Sequence, residues 1–201
     1  MLFSKRWSKE FDKLLEEIAG LWGGEVKRPK NDPQHSSFRI ADAELYSYPN
    51  LRTRYGRYEV FIEISNSPMG DVVWIDGQDG VEFLKVFVLT PTKYDILIRH
   101  ESLMDRLRKA LRLTEETEID NPELDARYFL SAKTGQGKTL LRRQDFQHAV
   151  RSLEPFATLR ILPRCLCWSQ EITEESQLQA THVQNYTERL ICLTKILSEL
   201  E

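Results

Sequence analysis

The feature that most constrains the fold is a run of strict alternation at residues 57–64. Tyr58, Val60, Ile62 and Ile64 alternate with Arg57, Glu59, Phe61 and Glu63, the period of two that sends successive side chains to opposite faces of a strand. Such a segment predicts a strand with one buried face. Further extended segments follow at Asp71–Ile75, Phe83–Leu89 and Tyr94–Arg99. The first two flank Asp76-Gly77-Gln78-Asp79-Gly80, a turn-rich spacer, and are expected to pair as a hairpin. The turn Thr90-Pro91-Thr92-Lys93 then leads into the third. Strands in direct succession with short connections imply an antiparallel meander, because parallel neighbours need long crossovers.

Helical periodicity frames this strand-rich middle. Trp7, Phe11, Leu14, Leu15, Ile18, Leu21 and Trp22 recur at steps of three and four, and Gly23-Gly24 supplies a stop. At the other end Val183, Tyr186, Leu190, Leu193, Leu197 and Leu200 keep a heptad rhythm. Between them the pattern predicts a basic helix over 101–112, an acidic linker over 115–125, a strand at 127–131, a helix at 140–153 and strands at 157–162 and 165–168. The fold class is therefore α+β, a mainly antiparallel sheet with two internal helices and a long helix at each terminus. Residues 1–201 read as a single domain, with a helical arm at 5–23, a strand-rich middle at 38–99, a mixed part at 100–169 and a terminal helix at 176–200. The terminal helices are expected to cover one face of the sheet.

Composition limits the function classes. The chain has 201 residues, 28 Lys and Arg against 31 Asp and Glu, and a formal charge of -3. This near balance argues against a dedicated polyanion binder, although basic residues gather at 52–57, 99–112 and 138–143. No stretch approaches the roughly 20 apolar residues of a membrane helix, and no apolar region behind the N-terminal charges marks a signal peptide. The three cysteines, Cys165, Cys167 and Cys192, are odd in number and lack zinc-site spacing. These features predict a soluble, reduced, cytoplasmic protein without a metal.

One segment resembles a chemical motif. Residues 132–139 read Ala-Lys-Thr-Gly-Gln-Gly-Lys-Thr, matching the end of a phosphate-binding loop with Ala132 in place of its first glycine. In that reading Gly135 and Gly137 cradle phosphate, Lys138 meets the outer phosphates and Thr139 holds magnesium. Against it, the preceding part reads antiparallel, less than a third of the chain follows, and no later strand ends in an aspartate that could anchor the metal. A basic turn with Thr139 capping a helix from 140 accounts for the same residues.

Arg52, Arg54 and Arg57 interleave with Tyr46, Tyr48 and Tyr55, a mixture that can stack bases and hold phosphates. The acidic balance favours plain exposure of arginines beside a sheet edge. Asp71, Asp76 and Asp79 read as turn formers. The histidines His35, His100, His148 and His182 are scattered, and no serine or cysteine stands in a nucleophile motif. Trp7, Trp22, Trp74 and Trp168 are expected as core or interface anchors.

The stretch 119–131, Ile-Asp-Asn-Pro-Glu-Leu-Asp-Ala-Arg-Tyr-Phe-Leu-Ser, resembles a pattern met in uncharacterised bacterial proteins, in which a strand–helix unit precedes it and a helix, a strand pair and a last helix follow. The resemblance covers the C-terminal two-thirds and implies a bacterial α+β module with no assigned chemistry. Taken together, the residues point to a non-catalytic module that works through a protein partner, or through a second copy joined by the terminal helices. It would need no cofactor and touch no membrane, with nucleic acid disfavoured. The alternatives are phosphate binding at 132–139 and nucleic-acid binding through Arg52, Arg54 and Arg57.

Overall fold

The computed structural model describes residues 8–26, 38–39, 46–47, 51–65, 81–102, 105, 111 and 116–199. The chain opens with helix α1 (Ser8–Trp22) and a two-residue strand β1 (Glu25–Val26). A separate ladder joins β2 (Phe38–Arg39) to β3 (Tyr46–Ser47). Then come β4 (Leu51–Tyr55), β5 (Tyr58–Ser65), β6 (Phe83–Leu89) and β7 (Ile96–His100). The second half holds α2 (Pro122–Arg127), β8 (Tyr128–Ala132), α3 (Gly135–Leu141), α4 (Gln144–Ser152), β9 (Thr158–Leu162), β10 (Cys165–Glu171), a short 3-10 turn (Glu175–Leu178) and α5 (Ala180–Ser198).

Eight of the strands form one sheet in the order β1-β4-β5-β6-β10-β9-β7-β8, and every pairing is antiparallel. The fold is α+β with a mainly antiparallel sheet. The meander holds from β4 through β6 and then breaks. Hairpin β9–β10 inserts between β6 and β7, and the connecting residues 90–95 pass its turn, where Thr90 N–H donates to the Arg164 carbonyl at 3.0 Å. The reason lies in composition. β10 is buried along nearly its whole length, and a strand covered on both faces takes a central place. The same insertion corrects the expected hairpin of Asp71–Ile75 with Phe83–Leu89. Both edges of β6 are occupied, by β5 and by β10, and the 71–75 arm lies outside the described residues.

Helices cover one face. α1 turns Leu14, Leu15 and Ile18 inward, and α5 turns Val183, Tyr186, Leu190, Leu193 and Leu197 inward, against Val60, Ile62, Leu84, Val86, Leu166 and Trp168 of the sheet. Each large side chain so buried contributes roughly 1.5–3 kcal/mol. The stripe of α5 thus packs within the chain. On the opposite face Phe61, Phe87, Leu162, Cys165 and Cys167 form a second buried cluster, which corrects the one-faced reading of β5. Glu63 can sit there, 5% exposed, because Lys85 Nζ lies 3.3 Å from it.

Local capping explains the remaining differences. The acidic stretch at 115–125 holds α2 instead of running on as a linker. Asn121 caps the helix by accepting from Leu124 N–H, Pro122 opens it, and Glu123 and Asp125 sit in the first turn, where the helix dipole favours acids. The expected helix at 140–153 is two helices, so three internal α-helices stand among the described residues. Most of the expected helix at 101–112 lies outside the described residues. Strand and helix ends elsewhere differ from the expected bounds by a few residues, and the 3-10 turn replaces the first residues of the helix expected at 176–200. Among the described residues, no helix is long and apolar enough to cross a membrane.

Candidate functional site

At the β1 end of the sheet the close of α1 meets β4 and β5. Gly23 and Gly24 leave the helix at φ +72° and +130°, a region that favours glycine, and Gly24 packs so tightly on β4 that a Cβ would collide with the Arg52 carbonyl. The buried Thr53 hydroxyl donates to the Gly23 carbonyl and lies 3.4 Å from that of Trp22, satisfying carbonyls that a helix C-terminus leaves open. β4 turns into β5 through Gly56-Arg57, with Gly56 at φ +58° in the first central position of a tight hairpin turn.

This framework encloses a groove of about 320 Å³ lined by Trp22, Gly23, Gly24, Arg52, Thr53, Arg54 and Glu59. Arg52 and Arg54, two apart on β4, both point to the exposed side. Arg52 donates through Nε to Glu59 at 2.5 Å and lies over the Phe61 ring at 5.7 Å. Arg54 faces Glu59 in the strand register, yet among the described residues it has no hydrogen bond or ion pair. Trp22 is half-buried and meets Tyr55 edge-on, with centroids 4.8 Å apart. The Tyr55 hydroxyl donates to Glu188, which raises the pKa of the tyrosine and lowers that of the glutamate.

The three arginines singled out by sequence therefore diverge. Arg52 and Arg54 line the groove, and Arg57 folds onto its neighbour, 5.2 Å over the Tyr58 ring and bonded to its hydroxyl at 3.1 Å. Of the interleaved tyrosines, Tyr55 stands beside them. Tyr46 lies in the separate β2–β3 ladder, and Tyr48 lies outside the described residues. Trp22, Thr53 and Glu59 were not singled out for this role, since they come from three segments joined only by folding.

The loop at 132–139 has a different form from the one expected. Thr134, not Thr139, caps the helix, accepting from Gly137 N–H at 3.1 Å, and Lys138 N–H donates to the Thr134 carbonyl at 3.1 Å. Gly135, Gly137, Lys138 and Thr139 all lie within α3, which follows the last strand in the sheet order. A Cβ at Gly137 would press on Ala132 Cβ at 3.1 Å, so its absence lets helix and strand approach. Lys138 and Thr139 are exposed, and the Thr139 hydroxyl donates to the Gly135 carbonyl.

Other groups able to move protons are engaged in the fold. His182 lies 2.8 Å from the Gln170 side chain and packs against Tyr186 and Trp168; burial, aided by Arg189, lowers its pKa. Trp168 Nε1 donates to the Leu153 carbonyl at 3.0 Å, a core anchor as expected. The Tyr128 hydroxyl donates to Glu154, and burial and that carboxylate raise its pKa. His100 lies 5.0 Å from the Tyr128 ring, and His148 is exposed on α4. Burial pushes the Cys165 and Cys167 thiols up. Asp71, Asp76, Asp79, His35, Trp7 and Trp74 lie outside the described residues. Among the described residues, no group of three or more His, Cys, Asp or Glu side chains is placed to hold a metal ion. No protein-family model matches the chain, and no curated protein is significantly similar to it.

Proposed function

We propose that the protein is a non-catalytic interaction module that meets another polypeptide through the groove at the junction of α1, β4 and β5. The observation that carries this reading is the combination of an accessible indole, two exposed guanidiniums and one carboxylate on a braced concave surface. Aromatic and arginine side chains of this kind dominate the energetics of protein contacts. Association through the terminal helices draws less support, since the apolar stripes of α1 and α5 are buried against the sheet. Phosphate binding at 132–139 also draws less, because the N–H groups of Gly137 and Lys138 are already bonded to Thr134. The free thiols Cys165, Cys167 and Cys192 support a reducing, cytoplasmic setting.

The test is photocrosslinking in the full chain. Benzoylphenylalanine in place of Trp22, which keeps an aromatic ring in the groove wall and leaves both arginines in place, is expected to capture discrete polypeptides, and the same substitution at Lys138 is not. A melting temperature raised by several degrees with magnesium and ATP or GTP, and restored by Lys138→Ala, contradicts the reading.

A further inference from the structure

We infer that the groove beside Trp22 docks an extended acidic segment of a partner polypeptide, one with carboxylates at alternate positions. This rests on the interaction reading above and names the chemistry of its partner. Arg52 and Arg54 stand on one side of β4, about 6.8 Å apart along the strand. Alternate residues of an extended peptide repeat at the same distance, so a carboxylate seated on Arg54 brings the next one to Arg52, where it shares the guanidinium with Glu59. Glu59 already displays the fit, accepting from Arg52 at 2.5 Å. Arg54 is the guanidinium left over, with no hydrogen bond or ion pair among the described residues, and its fork suits a bidentate carboxylate. The Trp22 indole offers an apolar wall to the residue between the acids. The Thr53 cap and the Gly24 contact brace the surface, which lowers the cost of ordering it on binding.

The same surface is less suited to a nucleic acid. Glu59 and the C-terminal, negative end of α1 border the groove. A phosphate chain would meet that negative field at every unit. An extended peptide sets its carboxylates at alternate residues, so its negative charge falls opposite the two guanidiniums and not at every unit.

The experiment uses the full chain and fluorescence anisotropy, with a labelled, blocked peptide of alternating Thr and Glu. Its Thr-Gln counterpart and a short oligothymidylate serve as the other probes. The Glu peptide is expected to bind and to weaken as salt rises. Arg54→Gln, an exposed change that leaves the circular dichroism unaltered, is expected to weaken binding roughly tenfold or more. The Thr-Gln peptide should bind as weakly, and Lys138→Gln should leave binding unchanged. Equal binding by the Thr-Gln peptide, indifference to Arg54→Gln, or no binding at low salt would overturn the proposal. Tighter binding of oligothymidylate, or self-association of the chain abolished by Arg54→Gln, would do the same. If it falls while crosslinking from Trp22 still captures polypeptides and nucleotides leave the melting temperature unchanged, the groove takes a partner of other chemistry; loss of the crosslinks as well removes the interaction reading. Stabilisation by nucleotide that depends on Lys138 removes both.

Discussion

The Thr53 hydroxyl donates to the Gly23 carbonyl and so ties strand β4 to the end of helix α1. The bond closes a helix terminus that would otherwise leave a carbonyl without a donor, and it fixes the wall of the groove. Thr53→Val keeps the shape and removes the donor, and is expected to destabilise the fold by about 1 kcal/mol. Gly24→Ala should cost about 2 kcal/mol or more, because the added methyl meets the Arg52 carbonyl at a strained φ. Urea denaturation of both variants checks the order.

Arg99 grips Asp105 with two bonds of 2.5 and 2.6 Å, and Ser102 adds a backbone and a hydroxyl donor. Burial alone would raise the Asp105 pKa, but these donors outweigh it and hold it at about 2. A carboxylate with a depressed folded-state pKa stabilises the fold above its unfolded value near 4, and that contribution fades as pH falls toward 2. Part of the Arg99 side chain remains in water, so screening limits the contribution to about 1–2 kcal/mol. Stability measured between pH 5 and pH 2 should fall less steeply in Asp105→Asn than in the wild type, by about that amount.

The pair Glu63–Lys85 lies inside the second face of the sheet, each residue nearly excluded from water. Removing one partner leaves a buried charge, so Lys85→Met is expected to cost about 3–5 kcal/mol. The double variant Glu63→Leu with Lys85→Met should recover at least half of that loss. Equal stability of the single and double variants would show that the pair does not set the penalty.

The cysteines divide by environment. Cys165 and Cys167 are buried, with thiols pushed well above the ordinary range, whereas Cys192 is exposed on α5. A thiolate-specific reagent should therefore modify one cysteine per native chain and all three after denaturation. Rapid labelling of more than one in the native protein contradicts the packing of the second face.

What the sequence reveals depends on the range of the interaction. The helices at each end and strand β5 follow from periodicities within a few residues, such as Leu14, Leu15 and Ile18 or Val60, Ile62 and Ile64. Helix α2 was also signalled locally, by Asn121-Pro122 and acids in the first turn, but the density of charge reads as a linker until the cap is seen. Strand order is another matter. Val86 pairs with Trp168 across most of the second half of the chain, and no local pattern carries that pairing. The groove was legible only in Arg52 and Arg54. Its aromatic wall comes from the end of α1, and the carboxylate that occupies Arg52 comes from β5, so the arrangement exists only after α1, β4 and β5 have come together. The glycines at 135 and 137 mislead in the opposite way. They match a phosphate loop by type, yet they lie inside a helix capped by Thr134.

The most direct test of the proposed docking surface is a charge exchange at one residue. Arg54→Glu should lose the alternating Thr-Glu peptide and gain affinity for the corresponding Thr-Lys peptide, each by roughly tenfold or more in anisotropy titrations at low salt. Unchanged preference for the Thr-Glu peptide in Arg54→Glu would place the contact elsewhere and contradict the account.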